Sequence, residues 1–252
     1  MLKIRLIPSL LLRHESLVKT VNFNKFKYIG DPVNTVKIFN ELEVDELVFQ
    51  DICASKEDSR PNMQVLRDIA NECFMPLSYG GGIKNLDEAK KILDTGFEKV
   101  ILNSAALESP DLITDLANKF GSQAIVVSID YKKDFFNRAS VWSFSATKKH
   151  KYSPVEWAKI VEENGAGEIL LTSIKQEGTW TGFDLDTIRQ VSVNTSIPII
   201  ANGGCGSINH IKELIETNSV SAIALGSIVV FQKKDMGVLV NFPDRNRLES
   251  LS

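Results

Sequence analysis

Cysteine and histidine are scarce in this chain of 252 residues, three of each. Cys53, Cys73 and Cys205 are odd in number, far apart and never spaced as CxxC. That pattern argues against a disulfide frame and a zinc site, and it fits a reducing compartment. His14, His150 and His210 are equally dispersed and no nucleophile elbow occurs, so neither a metal nor another cofactor is expected. A large excess of one charge is also lacking. The formal net charge is −3, which implies neither nucleic acid nor an anionic membrane as partner. No apolar run reaches the ~20 residues that a membrane span requires. The opening MLKIRLIPSLLLRHES imitates a signal peptide only faintly. Pro8 interrupts it, Arg13-His14-Glu15 follow at once, and a small-residue cleavage site is missing. The stretch reads as a first strand, and a cytoplasmic location is expected.

What is present is a regular alternation. Short β-branched runs at 4–11, 45–52, 75–80, 99–104, 124–130, 168–174, 197–203 and 222–227 alternate with amphipathic helical stretches, the pattern of a parallel sheet. Helix starts carry ordinary signals, such as Asp31-Pro32 and Ser153-Pro154. Eight βα units in this length predict an α/β fold, a single (β/α)8 (TIM) barrel spanning 1–252. Long connections at 12–30 and 131–153 follow strands one and five, on the face that carries activity in such barrels. Pro243 lies where a last helix ought to continue, so that helix is expected to be short.

The two halves resemble each other. Glu46 and Glu168, Pro76 and Pro198, and Gly82 and Gly204 open or close similar segments, each pair separated by the same 122 residues. A constant offset predicts a two-fold half-barrel repeat, with halves of about 1–122 and 123–240.

Three groups of residues carry candidate chemistry. Glycine runs follow strands three and seven (Gly81 and Gly82; Gly203 and Gly204), and Asn103-Ser104 and Gly226-Ser227 close strands four and eight. Unobstructed backbone amides near helix N-termini make an anion cradle, and two copies imply a bisphosphorylated or similarly elongated ligand. Arg5, Glu46, Lys99 and Glu168 stand at strand starts. As an inward ring they would neutralise one another and gate the bottom of the barrel. Alternation puts Arg5 and Leu11 on one strand face, some 20 Å apart. At the opposite end Asp130 closes strand five, Asp51 and Glu177 follow strands two and six, and Lys19, with Arg13, Lys25 and Lys27, lies in the first long connection.

Strung together, RLIP, LVKTVNF, DELVFQDI, PLSYGGGI, EKVILNSAA, FGSQAIVVSID, GEILLTSI and ANGGCG resemble the cyclase subunit family of imidazole glycerol phosphate synthase. The resemblance runs from residue 1 to about 230. It implies a partner glutaminase subunit on the N-terminal barrel face, with ammonia passing a four-residue gate at Arg5, Glu46, Lys99 and Glu168. At the mouth it implies a phosphorylated small molecule held by the glycine and serine cradles, with Asp130 and Lys19 as catalytic residues. The sequence departs from the family at one decisive place. The family motif IPCLDV supplies a second catalytic carboxylate, and here that position is Leu11. Leucine cannot move a proton, and a positioned acid or base contributes roughly 10²–10⁴ in rate. DRDGT of the family is KQEGT here, Lys175 to Thr179, and the glycine after the mouth lysine is Thr20. LVKTVNF, YIGDP and ECFMPLSYGGGIK look like a branch that accompanies a glutaminase and a sugar amidotransferase in acetamidino modification of surface-polysaccharide sugars. The resemblance thus implies an ammonia-channelling barrel. An active histidine-pathway cyclase, with Asp130 alone or Glu177 substituting, and a phosphate-binding regulatory barrel are the other readings.

Overall fold

A computed structural model describes residues 4–243. Strand β1 (Arg5–Arg13) is followed by two antiparallel strands, β2 (Ser16–Val21) and β3 (Asn24–Gly30). Then come β4 (Leu47–Asp51), β5 (Leu77–Gly80), β6 (Lys99–Leu102) and β7 (Ile125–Lys133). β7 carries its own antiparallel extension, β8 (Ala139–Ser143) and β9 (Lys148–Lys149), before β10 (Glu168–Ser173), β11 (Ile199–Asn202) and β12 (Ala222–Leu225) complete the set. The order β10-β11-β12-β1-β4-β5-β6-β7 is parallel throughout, and β10 pairs back onto β7 from Glu168↔Val126 to Ser173↔Tyr131. The sheet therefore closes into the expected eight-stranded barrel with helices between strands.

The helices begin where the sequence says they should. Asp31 accepts from the Asn34 amide with Pro32 in the first turn, and Ser153 and Glu156 form a reciprocal capping box ahead of the helix Pro154–Glu163. Two apolar cores result. The larger lies between barrel and helices, around Phe39, Phe49, Tyr79 and Trp157. The smaller fills the barrel itself, a belt of Ile7, Val48, Ile101, Val126, Leu170, Ile200, Ala222 and Ala224. Burying each larger side chain of this kind stabilises the fold by about 1.5–3 kcal/mol.

Two expectations need correction. The connections at 12–30 and 131–153 are β-hairpin arms, not loops. β1 and β7 run on past the barrel rim and turn back on themselves, pairing Leu11↔Val18 and Asp130↔Trp142. Lys19 is thus a strand residue, held in β2. The last barrel helix is short, Ser227–Val230, but the chain after it forms no helix among the described residues; it returns in a bridge between Phe231 and Val238. Residues 244–252 lie outside the described residues. No described helix is long and apolar enough to cross a membrane.

Candidate active site and charge ring

At the N-terminal end of the barrel four charges close a ring. Arg5 Nη1 donates to Glu46 Oε2 at 2.7 Å and Arg5 Nη2 pairs with Glu168. Lys99 Nζ reaches Glu46 Oε1 at 3.1 Å and Glu168 Oε2 at 2.9 Å. Each cation serves both acids and each acid both cations, while Ser78 Oγ adds a 2.8 Å bond to Glu46. The carboxylates are almost buried; burial works against the charge of Arg5, yet the two acids raise its pKa further. Burying charge is tolerable when it is fully paired, and here it is.

Above the ring comes the apolar belt, and above that a polar layer that sequence reading missed. Ser9, Gln50, Ser128 and Asn202 line the floor of a cavity of about 440 Å³, with Thr172 behind Asn202 at 3.2 Å. The signal was available: each of these residues occupies an inward position near the C-terminal end of an otherwise apolar strand.

The cavity brings together Leu11, Lys19, Asp51, Gly81, Gly82, Asn103, Ser104, Asp130 and Glu177. Asp130 is buried, and that burial is the main force pushing its carboxyl up to about 6; hydrogen bonds from Ser128 and Thr172 oppose it. Ser128 Oγ lies 3.0 Å from Oδ1 and Asn103 Nδ2 lies 3.2 Å from Oδ2. A carboxyl poised there can gain or lose a proton near neutral pH.

The other mouth acids are committed. Glu177 Oε1 pairs with Lys19 Nζ at 2.6 Å inside the fold, and its Oε2 accepts from the Phe23 amide at 3.2 Å. Asp51 Oδ1 accepts from the amides of Cys53 and Ala54 at 2.9 and 3.1 Å, with burial raising its pKa. Lys19 therefore latches the β2–β3 arm down while lining the cavity, and its stem lies over Gly226. The hydroxyl of Thr20 is buried beside it with no hydrogen-bond partner.

The glycine cradles show the repeat in their backbone. Gly81 and Gly203 both adopt positive φ, +132° and +93°. A β-carbon at either would stand 2.8 Å from a strand-end carbonyl oxygen, Asp51 in one half and Ser173 in the other, again 122 residues apart. Only glycine fits such an approach. The halves differ in access. Gly81, Gly82, Asn103 and Ser104 line the cavity, whereas Gly203, Gly204, Gly226 and Ser227 do not. The Gly204 carbonyl instead accepts from the Gly182 amide at 2.9 Å. The tip of the β8–β9 arm covers the first cradle. The Phe144 amide donates to Ser104 Oγ at 3.1 Å, and Ser145 Oγ donates to the Ile52 carbonyl at 3.0 Å.

At the rim His14, Cys53 and Glu57 approach within 4.8 Å of one another, a donor set that a divalent cation could use. Cys53 and Glu57 meet through a local turn, and only the placement of β1 beside β4 brings in His14.

Residues 5–235 match the family model described as "Histidine biosynthesis protein". A Pseudomonas aeruginosa protein provisionally named imidazole glycerol phosphate synthase subunit hisF2 is 49% identical over 249 residues, covering 99% of both chains. A Vibrio vulnificus protein provisionally named subunit hisF3 of the same synthase is 43% identical over 244 residues, 96% of this chain and 94% of its own. Subunit HisF of imidazole glycerol phosphate synthase from Streptococcus mutans is 40% identical over 228 residues, 90% of this chain and 91% of its own. Barrel, charge ring and a match across nearly the whole length lead to one conclusion: the chain belongs to the HisF-type histidine-biosynthesis protein family.

Proposed function

We propose that this barrel receives ammonia from a glutaminase docked on its N-terminal face and releases it at its mouth to a sugar amidotransferase. The product of the system would be an acetamidino group on a surface-polysaccharide sugar, and the barrel would close no imidazole ring itself. The observation that carries this reading is Leu11. It lines the cavity wall beside Asp130, at the position where the family places its second catalytic carboxylate. No neighbour substitutes for it: Glu177 is held by Lys19, and Asp51 by two loop amides. The charge ring, by contrast, is complete. A complete entrance and a disabled exit suit a conduit. The numbered names of the Pseudomonas and Vibrio relatives, hisF2 and hisF3, fit additional copies of this subunit.

One observation favours a second reading. Asp130, held at about 6, is suited to acid–base work, so a cyclase with one active carboxyl is the alternative. The test is ammonium-dependent turnover of the bisphosphorylated ribulosyl-formimino ribonucleotide by the native protein and by Leu11→Asp. Silence in the native protein, with activity gained by the aspartate, supports the conduit. Native turnover at the rate of an ordinary family member refutes it.

A further inference from the structure

We infer that the two β-hairpin arms on the C-terminal face are the docking surface for the ammonia-consuming enzyme, which meets them with an acidic face. This rests on the delivery reading and names the surface that such delivery requires.

The arms concentrate positive charge. Residues 12–30 and 131–153 together hold ten Lys and Arg against two acids, Glu15 and Asp134, a net of +8 in a chain of net −3. The remainder of the protein is therefore at −11. Lys27, Lys132, Lys149 and Lys151 are exposed and pair with no carboxylate among the described residues. Charge segregated onto two projections either side of a cavity is not the mixed pattern that solubility alone requires. Lys19, Lys133 and Lys148 are paired with carboxylates of the barrel, but the remaining positive charge of the arms would steer a complementary partner to this surface and speed its encounter.

The same arms present aromatic side chains to water. Phe135 and Phe136, in the β7–β8 turn, are 95% and 73% exposed and stack edge to face at 5.7 Å. Arg138 lies 5.2 Å from the Phe136 ring, and Arg13 lies 3.9 Å from that of Phe26 on the other arm. Aromatic residues with arginine are the composition of interface centres, not of free surface. The Arg13–Phe26 cluster lines the cavity mouth, and the Phe135–Phe136–Arg138 cluster stands at the β7–β8 turn of the second arm.

The occupant follows from charge and chemistry. A second copy of this chain would bring two positive surfaces together, which disfavours self-association. Ammonia released into open water at neutral pH takes up a proton and ceases to be a nucleophile, so its consumer must sit over the exit. Between the arms is where that seat lies.

The experiment compares the native barrel, held in its glutaminase complex, with Lys27→Glu/Lys132→Glu/Lys149→Glu and with Phe135→Ser/Phe136→Ser. Binding to the purified sugar amidotransferase is measured by sedimentation at about 50 and about 300 mM salt, with amidine formation from glutamine and from ammonium in parallel. The expected result is a loss of about tenfold or more in affinity for the charge-reversed form, and a similar loss for the native form at high salt. Glutamine-dependent product should fall in both variants while ammonium-dependent product and the glutaminase complex persist. Native affinity in both variants overturns the docking surface even if glutamine still drives amidination, in which case delivery stands and its exit lies elsewhere. Arm-dependent binding without any glutamine-dependent product refutes delivery and leaves the surface in place. Absence of binding by the native barrel, or self-association through the arms, overturns the proposal.

Discussion

Replacing Asp130 by asparagine should make the protein more stable, and only at high enough pH. The carboxyl is largely desolvated, and its native pKa of about 6 stands above the ordinary 3.8. Roughly two units at 1.36 kcal/mol each amount to about 3 kcal/mol. Because the folded pKa is raised, this group's favourable contribution is fully present below about 3.8 and is lost as pH rises through about 6. By pH 8 the native state holds a buried carboxylate that the unfolded chain would solvate. Asparagine never ionises, and its one oxygen can still accept from Ser128 Oγ, which now donates to Oδ1 at 3.0 Å. Allowing for one weakened hydrogen bond, Asp130→Asn should gain about 2 kcal/mol at pH 8, or ~4–8 °C in Tm for a chain of this size. Near pH 4 the gain should shrink to a fraction of that. Thermal melts at both values decide the matter. A variant no more stable than the native protein at pH 8, or equally favoured at both pH values, would refute the placement of a desolvated acid at the mouth.

Lys99→Met leaves Glu46 and Glu168 sharing Arg5 alone inside the barrel; a loss of about 3 kcal/mol in urea unfolding is expected, and one below about 1 kcal/mol would show the ring is not a coupled network. Lys19→Met strands the buried Glu177 and unlatches the β2–β3 arm, so limited proteolysis near Asn22-Phe23 should accelerate while the barrel remains folded. Gly178→Ala would place a β-carbon 2.2 Å from the Thr20 carbonyl at a φ of +74°, and should expose the same cleavage site through backbone strain. An unchanged digestion pattern in either variant would argue that the arm is held by other contacts.

The barrel was legible because its signals are local. Eight apolar runs of strand length, six of them followed by a helix with a side-chain N-cap, admit few arrangements, and the charges at strand starts became a ring once the strands were side by side. The arms were not legible for the converse reason. SLVKTV and NKFKYIG carry alternation, but the turn between them, Asn22-Phe23, lacks the glycine that marks a two-residue hairpin; both residues adopt positive φ, at 54° and 61°. Phe144, Ser145 and Ala146 do the same at the second arm's tip, with φ of 51°, 51° and 64°. Such a run is unfavourable for L-residues, so propensity could not announce it. The Lys19–Glu177 pair joins residues 158 apart in sequence, a meeting decided by barrel closure alone.

On the proposed conduit reading, the apolar belt above the charge ring would set what kind of traveller the barrel carries. Both carboxylates of the ring are already satisfied, so an arriving cation finds no vacant counter-charge there. Beyond it, Ile7, Val48, Ile101, Val126, Leu170 and Ile200 offer neither an acceptor nor room for a hydration shell. An ammonium ion would have to shed its water with nothing in return, a barrier of many kcal/mol, while uncharged ammonia gives up far less. On that reading, discrimination between the two forms of one small molecule would belong to the eight apolar side chains and not to the four charged ones. A single acid introduced at Val126 or Leu170 would turn a filter for neutral species into a trap for ions.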